Sequence, residues 1–240
     1  MTKITDYFQG VYAVNLPERK DRRQLIVKEL EEAGMPLTPH KVEIFPAIRP
    51  KEAGGFPSIG ARGCVSSHVA ILKQAKQDGL SNILIVEDDL EISAKFTTDQ
   101  AVILEQLCQQ DWDFVYFGHV EKVKEKSPVA LVPFSEGVRT TPFYAVNGRI
   151  FDRLLRFLEE LQHRPPGHPD GGPMHLDGAY STFRGQNPDV VTLIASPNLG
   201  WQSSSLSDIT PKWFDGVPGL RQLAGAAKTS KTRLKRWLSS

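Results

Sequence analysis

The sequence predicts an α/β fold built around a largely parallel sheet, and three observations carry that prediction. Residues 11–16 (VYAVNL), a helical pattern over residues 18–33 and an apolar stretch at residues 42–45 form a strand–helix–strand unit. Such a unit places its two strands in parallel through a right-handed crossover. Residues 83–86 (ILIV) are an unbroken aliphatic run, the mark of a strand covered on both faces. Helix-like and strand-like segments then keep alternating as far as residues 190–195.

Each element has a local reason. The first helix carries Leu25, Ile26 and Leu30 on one stripe, and Gly34 followed by Pro36 stops it. Residues 49–59 contain Pro50, Gly54, Gly55 and Pro57 and read as a loop. Val65, Val69 and Leu72 recur at helical spacing within residues 61–77, and Gly79 lies just past that helix. After the central strand come a helix over about residues 98–109 and a buried strand at residues 113–117 (DFVYF). Residues 129–132 and 143–146 are expected to be strands of a small antiparallel portion. Residues 149–162 form an amphipathic helix through Ile150, Leu154, Phe157 and Leu161. A loop of turn formers at 163–173, a short helix at 176–183 and a last core strand at 190–195 complete the order.

Charge is distributed unevenly along the 240 residues. From Gly216 onward there are six basic residues and no acid; the total of +1 less these six leaves about −5 on the preceding residues. An acidic body argues against nucleic acid as a partner. Cys64 and Cys108 have neither CxxC nor Cys/His zinc spacing, so a disulfide framework and a zinc site are not expected, and a reducing cytoplasm fits. Residues 1–10 lack an apolar stretch of signal-peptide length and no run approaches a membrane span. The expected location is the cytoplasm, with peripheral attachment to the inner face of the membrane through residues 226–240, where cations alternate with Leu234, Trp237 and Leu238.

The chemistry concentrates at Glu87, Asp88 and Asp89, which follow the buried strand without a spacer. A parallel sheet presents ligands at the carboxyl ends of its strands. Three adjacent acids there repel one another, and a hard divalent cation shared with a phosphate substrate would relieve that repulsion; a plain solvated exit from the strand is the other reading. Arg19, Arg22 and Arg23 stand at the start of the first helix, where cations oppose the helix dipole, so phosphate binding is one purpose for them. Asn15, at the end of the first strand, is placed to contact a base or ribose. Cys64 and His68 are helical neighbours four apart, but no third group orients them as a nucleophilic pair.

Four segments, taken together, resemble the family-25 glycosyltransferases, which include bacterial lipooligosaccharide galactosyltransferases and collagen-modifying relatives. Asn15-Leu16-Pro17-Glu18-Arg19 through Arg23 looks like the family's opening signature, and Gly63-Cys64-Val65-Ser66-Ser67-His68 like its helix motif. Glu87-Asp88-Asp89 looks like its E-D-D strand end; Pro197, Gln202 and Ser207-Asp208-Ile209 look like its closing stretch. The resemblance covers roughly residues 11–210. It implies an α/β, GT-A-like single domain over residues 1–215, with a nucleotide-binding parallel-sheet half (about 1–118), a smaller acceptor-binding half (about 119–215), and a basic tail at 216–240.

The same resemblance implies a metal-dependent, inverting transfer of a hexose, galactose from UDP-galactose first among the candidates, to a cell-surface oligosaccharide or lipid-linked glycan such as lipopolysaccharide. Asp89 would ligate Mn²⁺ or Mg²⁺, Asp88 would meet the ribose and Glu87 would act through water. Ser67 and His68 would line the donor pocket beside Asn15 and Arg19. The acceptor hydroxyl needs a base, and Asp177 is the first choice, with Asp170 and Asp208 behind it; a helix cap is its structural alternative. His175 would be a second metal ligand. Two other functions remain open: a nucleotide-sugar-binding protein without turnover, and a metal-dependent phosphohydrolase or nucleotidyltransferase, which the lack of a GxxxxGK[ST] loop disfavours.

Overall fold

The computed structural model describes residues 3–203, so the basic tail, Asp208 and the 207–209 motif lie outside the described residues. In chain order the elements are α1 (Ile4–Tyr7), β1 (Gly10–Asn15), α2 (Lys20–Glu32), β2 (Val42–Pro46), α3 (Ile59–Gln77), β3 (Asn82–Glu87), β4 (Leu90–Ile92), α4 (Ala94–Thr98) and α5 (Gln100–Gln109). There follow β5 (Phe114–Gly118), β6 (Ala130–Pro133), β7 (Phe143–Asn147), a 3₁₀ turn at Gly148–Ile150, α6 (Phe151–His163), α7 (Leu176–Gln186), β8 (Thr192–Ser196) and β9 (Gly200–Gln202).

One sheet runs in the order β2-β1-β3-β7-β5-β8-β6, and a short β4–β9 pair attaches to it through β5. β1 pairs in parallel with β2 and β3, and β5 with β8, as the alternation of strands and helices requires. The two strands expected as a small antiparallel portion, β6 and β7, are both present in antiparallel pairings but do not form a separate unit. β7 instead lies in the middle of the main sheet, antiparallel to both β3 and β5, and β6 is antiparallel to β8 at the far edge. An all-aromatic and aliphatic strand such as Phe143–Val146 fits a central position because both its faces are buried. Residues from both expected halves therefore share one sheet.

Two apolar cores cover the two faces. Ile83 and Ile85 point to the side filled by α3, α6 and α7; Leu84 and Val86 point to the side filled by α2 and α5. This alternation continues past the end of β3 and fixes the site: Glu87 inherits the α3 side and Asp88 the α2 side.

α3 begins at Ser58, whose hydroxyl accepts from the Ala61 amide at 3.0 Å, and it stops before Gly79, which takes φ +67°. Gly63 lets that helix touch the segment after β2: a Cβ there would stand 2.6 Å from the Ile48 carbonyl oxygen. The helix expected at 98–109 is two helices that meet at Asp99, with Ser93 capping the first. Asp99 turns its carboxylate outward to the Val129 amide at 3.0 Å, which anchors the approach to β6. α1, β4 and β9 carry too few residues for a periodic pattern, and the sequence reading did not contain them.

Candidate active site

The carboxyl ends of β1, β2 and β3 and one wall of α3 enclose a cavity of 370 Å³. Val14, Leu16, Ala47, Ile48 and Ile59 give it an apolar side, and Glu87, Asp88 and Asp89 a carboxylate side. Arg49 and Lys51 stand at its exposed mouth, where Arg49 pairs with Glu18. An apolar wall, acids at one end and cations at the rim suit a ligand that is part apolar and part anionic.

The three acids are held separately. Asp88 accepts from Asn15 Nδ2 at 2.7 Å and from Arg22 Nη1 at 2.8 Å. Arg22 Nη2 also lies 3.4 Å from Asp89, so one guanidinium whose side chain is 8% exposed faces two carboxylates. Glu87, on the opposite side of the strand, accepts from Gln202 Nε2 at 2.6 Å and Thr141 Oγ1 at 3.4 Å. Burial, reinforced by Asp89 and Asp88, pushes the Glu87 carboxyl up to about 8 against the pull of those two hydrogen bonds. Burial also pushes Asp89 up to about 6, with Arg22 opposing. The second Asp89 oxygen, Oδ1, is buried and accepts no hydrogen bond. A solvated strand exit would show none of these features.

Gln202 reaches the site because β9 crosses close to β5 and β4. A Cβ on Gly118 would meet the Gly200 carbonyl oxygen at 3.0 Å, and one on Gly200 would meet Leu90 at 2.8 Å. The Ser203 amide then donates to the Asp89 carbonyl at 2.6 Å, which closes the turn that carries the acids.

The remaining sequence-predicted residues divide. Asn15 belongs to the acid cluster, with Oδ1 buried and unpartnered. Ser67 borders the cavity, but its hydroxyl donates to the Gly63 carbonyl at 2.7 Å and accepts from the Ile48 amide at 2.8 Å, so it braces the wall. His68 is also in that wall. Arg19 forks onto Asp21 at 3.0 and 2.9 Å and is not among the cavity-lining residues. His175 is exposed at the start of α7, and Asp177 is half-buried in its first turn; neither lines the cavity. Asp177 accepts from the Gly178 amide at 2.8 Å and from the Thr140 amide at 3.1 Å. Thr140 is held at φ +64°, next to the Thr141 that meets Glu87, so Asp177 connects to the acids through that turn. Among the described residues no three His, Cys, Asp or Glu side chains gather as a metal cage. Asp89 Oδ1 nonetheless fits a hard cation, provided that ligand oxygens and water complete its shell.

The sequence reading grouped Arg22 with its neighbours as a phosphate binder and did not see that the acids hold it. It also missed Thr141. Arg22 had one usable signal: it lies in the first turn of α2, the helix that begins five residues after β1 ends at Asn15.

His68 gives a pH prediction. Burial lowers its imidazolium to about 4, while the Cys64 carbonyl, 2.8 Å from Nδ1, only partly offsets this. Between pH 6.5 and 4 the unfolded chain takes up a proton that the folded chain refuses, so stability falls as pH falls. The contribution is about 2–3 kcal/mol across that window. Urea melts of wild type and His68→Asn at pH 7 and pH 4.5 should show the variant losing less stability than wild type; equal losses would contradict the burial of a neutral ring.

Comparison with known proteins agrees with this geometry. Residues 56–136 match the family described as glycosyltransferase family 25 (LPS biosynthesis protein). Human procollagen galactosyltransferase 2 is 24% identical over 233 residues, covering 88% of this chain and 36% of that protein. The human inactive glycosyltransferase 25 family member 3 is 25% identical over 50% of this chain and 23% of its own length. The chain spans between 22% and 36% of the length of the relatives it matches first. A solved glycosyltransferase involved in glycosylation of the major capsid of PBCV-1 superposes with a TM-score of 0.50 at 11% identity, covering 82% of this chain and 93% of that one. Its likeness is one of fold, GT-A-like. The helix motif on the cavity wall and the acid motif at its end both fall within residues 56–136, the stretch in which this chain is similar to glycosyltransferase family 25.

Proposed function

We propose that this protein is a metal-dependent, inverting glycosyltransferase that moves a hexose from a nucleotide sugar, galactose from UDP-galactose first among donors, to a lipopolysaccharide-type or other cell-surface oligosaccharide. The observation that carries the reading is the buried, unpartnered Asp89 Oδ1 within a crowded trio of acids at the end of β3. Asp89 would hold Mn²⁺ or Mg²⁺, with Glu87 acting through water. The cation's chemistry is to neutralise the charge that grows on the departing diphosphate. The chain's own residues do the rest. Asn15 and Arg22 fix Asp88 toward the ribose, the Val14, Leu16 and Ala47 wall takes the base, and Arg49 and Lys51 at the mouth attract the diphosphate. The acceptor oxygen forms its bond to the anomeric carbon as the bond to the diphosphate oxygen breaks, and the hydroxyl proton passes to a carboxylate. Asp177, coupled to Glu87 through Thr140 and Thr141, is the proposed base. His175 is exposed at the α7 start, outside the cavity wall, and is not needed in this reading. Residues 226–240 would hold the enzyme to the cytoplasmic face of the membrane, near lipid-linked acceptors.

A second reading has an observation of its own: similarity to a family member named inactive allows a binder of nucleotide sugars without turnover. Thermal melts separate the possibilities in two steps. At a hundred times its Kd, UDP should stabilise by about 2.7 kcal/mol, raising Tm by roughly 5–10 °C for a domain of this size, and only with Mn²⁺ present. No shift with any nucleoside diphosphate would end both readings. A shift without galactose release or transfer from UDP-galactose would leave the binder.

A further inference from the structure

We infer that Lys122, Lys124 and Lys126 recognise an acidic oligosaccharide, one that carries phosphate or carboxylate groups, as the acceptor. The inference names the acceptor class for the proposed transferase and rests on that reading.

The topology sets these lysines beside the acids. β3 and β5 are both antiparallel to β7, so they point the same way, and β1 and β8 run parallel to them. Their carboxyl ends therefore share one edge of the sheet. The cavity occupies that edge over β2, β1 and β3. Residues 119–129 lead from the carboxyl end of β5 to β6, whose first residue, Ala130, pairs with Ser196 at the carboxyl end of β8. The segment thus stays on the same edge, on the other side of the acids. It also starts next to them. A Cβ on Gly118 would stand 3.2 Å from Pro142 Cγ, and the Pro142 carbonyl accepts from the Glu87 amide at 2.9 Å.

The segment has two faces. His119 is buried, the Glu121 side chain is 12% exposed and Val123 packs against the core, so these alternate positions look inward. Val120, Lys122, Lys124 and Lys126, between and beyond them, are exposed. The inner face is fixed. Glu121 accepts from Arg139 Nε at 3.0 Å, His119 Nε2 donates to the Ala195 carbonyl at 2.8 Å, and the Lys124 carbonyl accepts from Ser196 Oγ at 2.6 Å. Lysines at every second position of an extended run stand about 7 Å apart, so the three form a row.

Nearby carboxylates do not neutralise that row. Glu121 is taken by Arg139, and Asp177 is held by the Gly178 and Thr140 amides. Glu125, exposed between Lys124 and Lys126, offsets one charge of the three. Among the described residues none of the three lysines forms an ion pair, whereas Lys28, Lys73 and Lys76 each meet a carboxylate. A row of like charges on a body of about −5 is a local reversal of sign, and such a reversal draws an anionic ligand to one place. Its length suits an extended chain with more than one acidic group. A bilayer offers the same charge, but the row opens beside the acids, where a substrate has to sit.

Titration calorimetry of the full chain, with UDP and Mn²⁺ present, tests this with three probes: neutral maltotetraose, tetragalacturonate for carboxylates and phosphorylated mannopentaose for phosphate. At least one acidic probe should bind about tenfold more tightly than maltotetraose, and the tighter of the two identifies the anion. Lys122→Gln, Lys124→Gln and Lys126→Gln combined should abolish the preference, as should about 0.5 M salt. Lys28→Gln, Lys73→Gln and Lys76→Gln combined change the net charge equally and should preserve it. Acidic probes that bind no better than the neutral one, or a preference lost equally in both triple variants, overturn the inference, while a rise in Tm with UDP keeps the donor site. Vesicles of phosphatidylglycerol bound through the same three lysines, with neither acidic probe bound, assign the row to a membrane and overturn it too. A wild type that UDP does not stabilise removes the donor site, and the acceptor role with it, whatever the probes do.

Discussion

An Asp89→Asn protein is expected to lose about a thousandfold or more of its transfer rate and yet to melt higher than wild type in metal-free buffer. The two effects share one cause. Asp89 is pushed up to about 6 by burial and by Asp88, although Arg22 pulls the other way, so the ionised carboxylate is held against its preference at neutral pH. The amide has the same shape and no charge. It removes the repulsion but also gives up the 3.4 Å approach of Arg22, so the net gain is smaller than the shift alone suggests, about 1 kcal/mol. That corresponds to roughly 2–4 °C in Tm. In the proposed enzyme the same change removes the oxygen that holds the cation, and UDP should then stabilise the variant equally with and without Mn²⁺. Transfer at the wild-type rate would remove Asp89 from the metal site. A lower Tm would mean that the contact with Arg22 outweighs the cost of burial.

The sequence made some of this visible and hid the rest for identifiable reasons. The run Ile83–Val86 and the acids behind it are contiguous, so strand, burial and carboxylate edge could be read from one stretch. α3 was equally legible, because its apolar spacing and the Gly79 stop are local. What brings the site together is not local. Asn15 and Asp88 are 73 positions apart, Arg22 and Asp88 are 66 apart, and Gln202 and Glu87 are 115 apart. No periodicity connects such pairs; only the parallel register of β1 with β3 and the pairing of β4 with β9 do so. β7 misled for a related reason. A short aromatic strand after an irregular stretch looks the same whether it adds to an edge or enters the centre, and only its neighbours decide. Asp177 and His175 came from the resemblance and from a helix start after a turn-rich loop, and neither signal reports that they stand outside the cavity wall, or that the Thr140–Thr141 turn links Asp177 to Glu87.

The burial of Arg22 leads to the second large effect. Arg22→Met should destabilise the protein by about 3–5 kcal/mol, because removing the cation strands two desolvated carboxylates against each other; Tm should fall by roughly 6–20 °C. Methionine keeps the length and the apolar stem, so lost packing is a minor part of the change. Arg22→Lys should fall between the two, since a single ammonium cannot present the planar fork that meets Asp88 at 2.8 Å and Asp89 at 3.4 Å together. Adding Asp88→Asn to Arg22→Met should recover most of the loss, and that recovery, measured as a double-mutant cycle, separates stranded charge from damaged packing. If Arg22→Met melts with wild type, water already solvates these acids and the electrostatic basis of the metal site is wrong. If the basis is right, the guanidinium in the wild-type protein partly occupies the role that a divalent cation would take, so Mn²⁺ should raise the Tm of Arg22→Met by more than it raises that of the wild type.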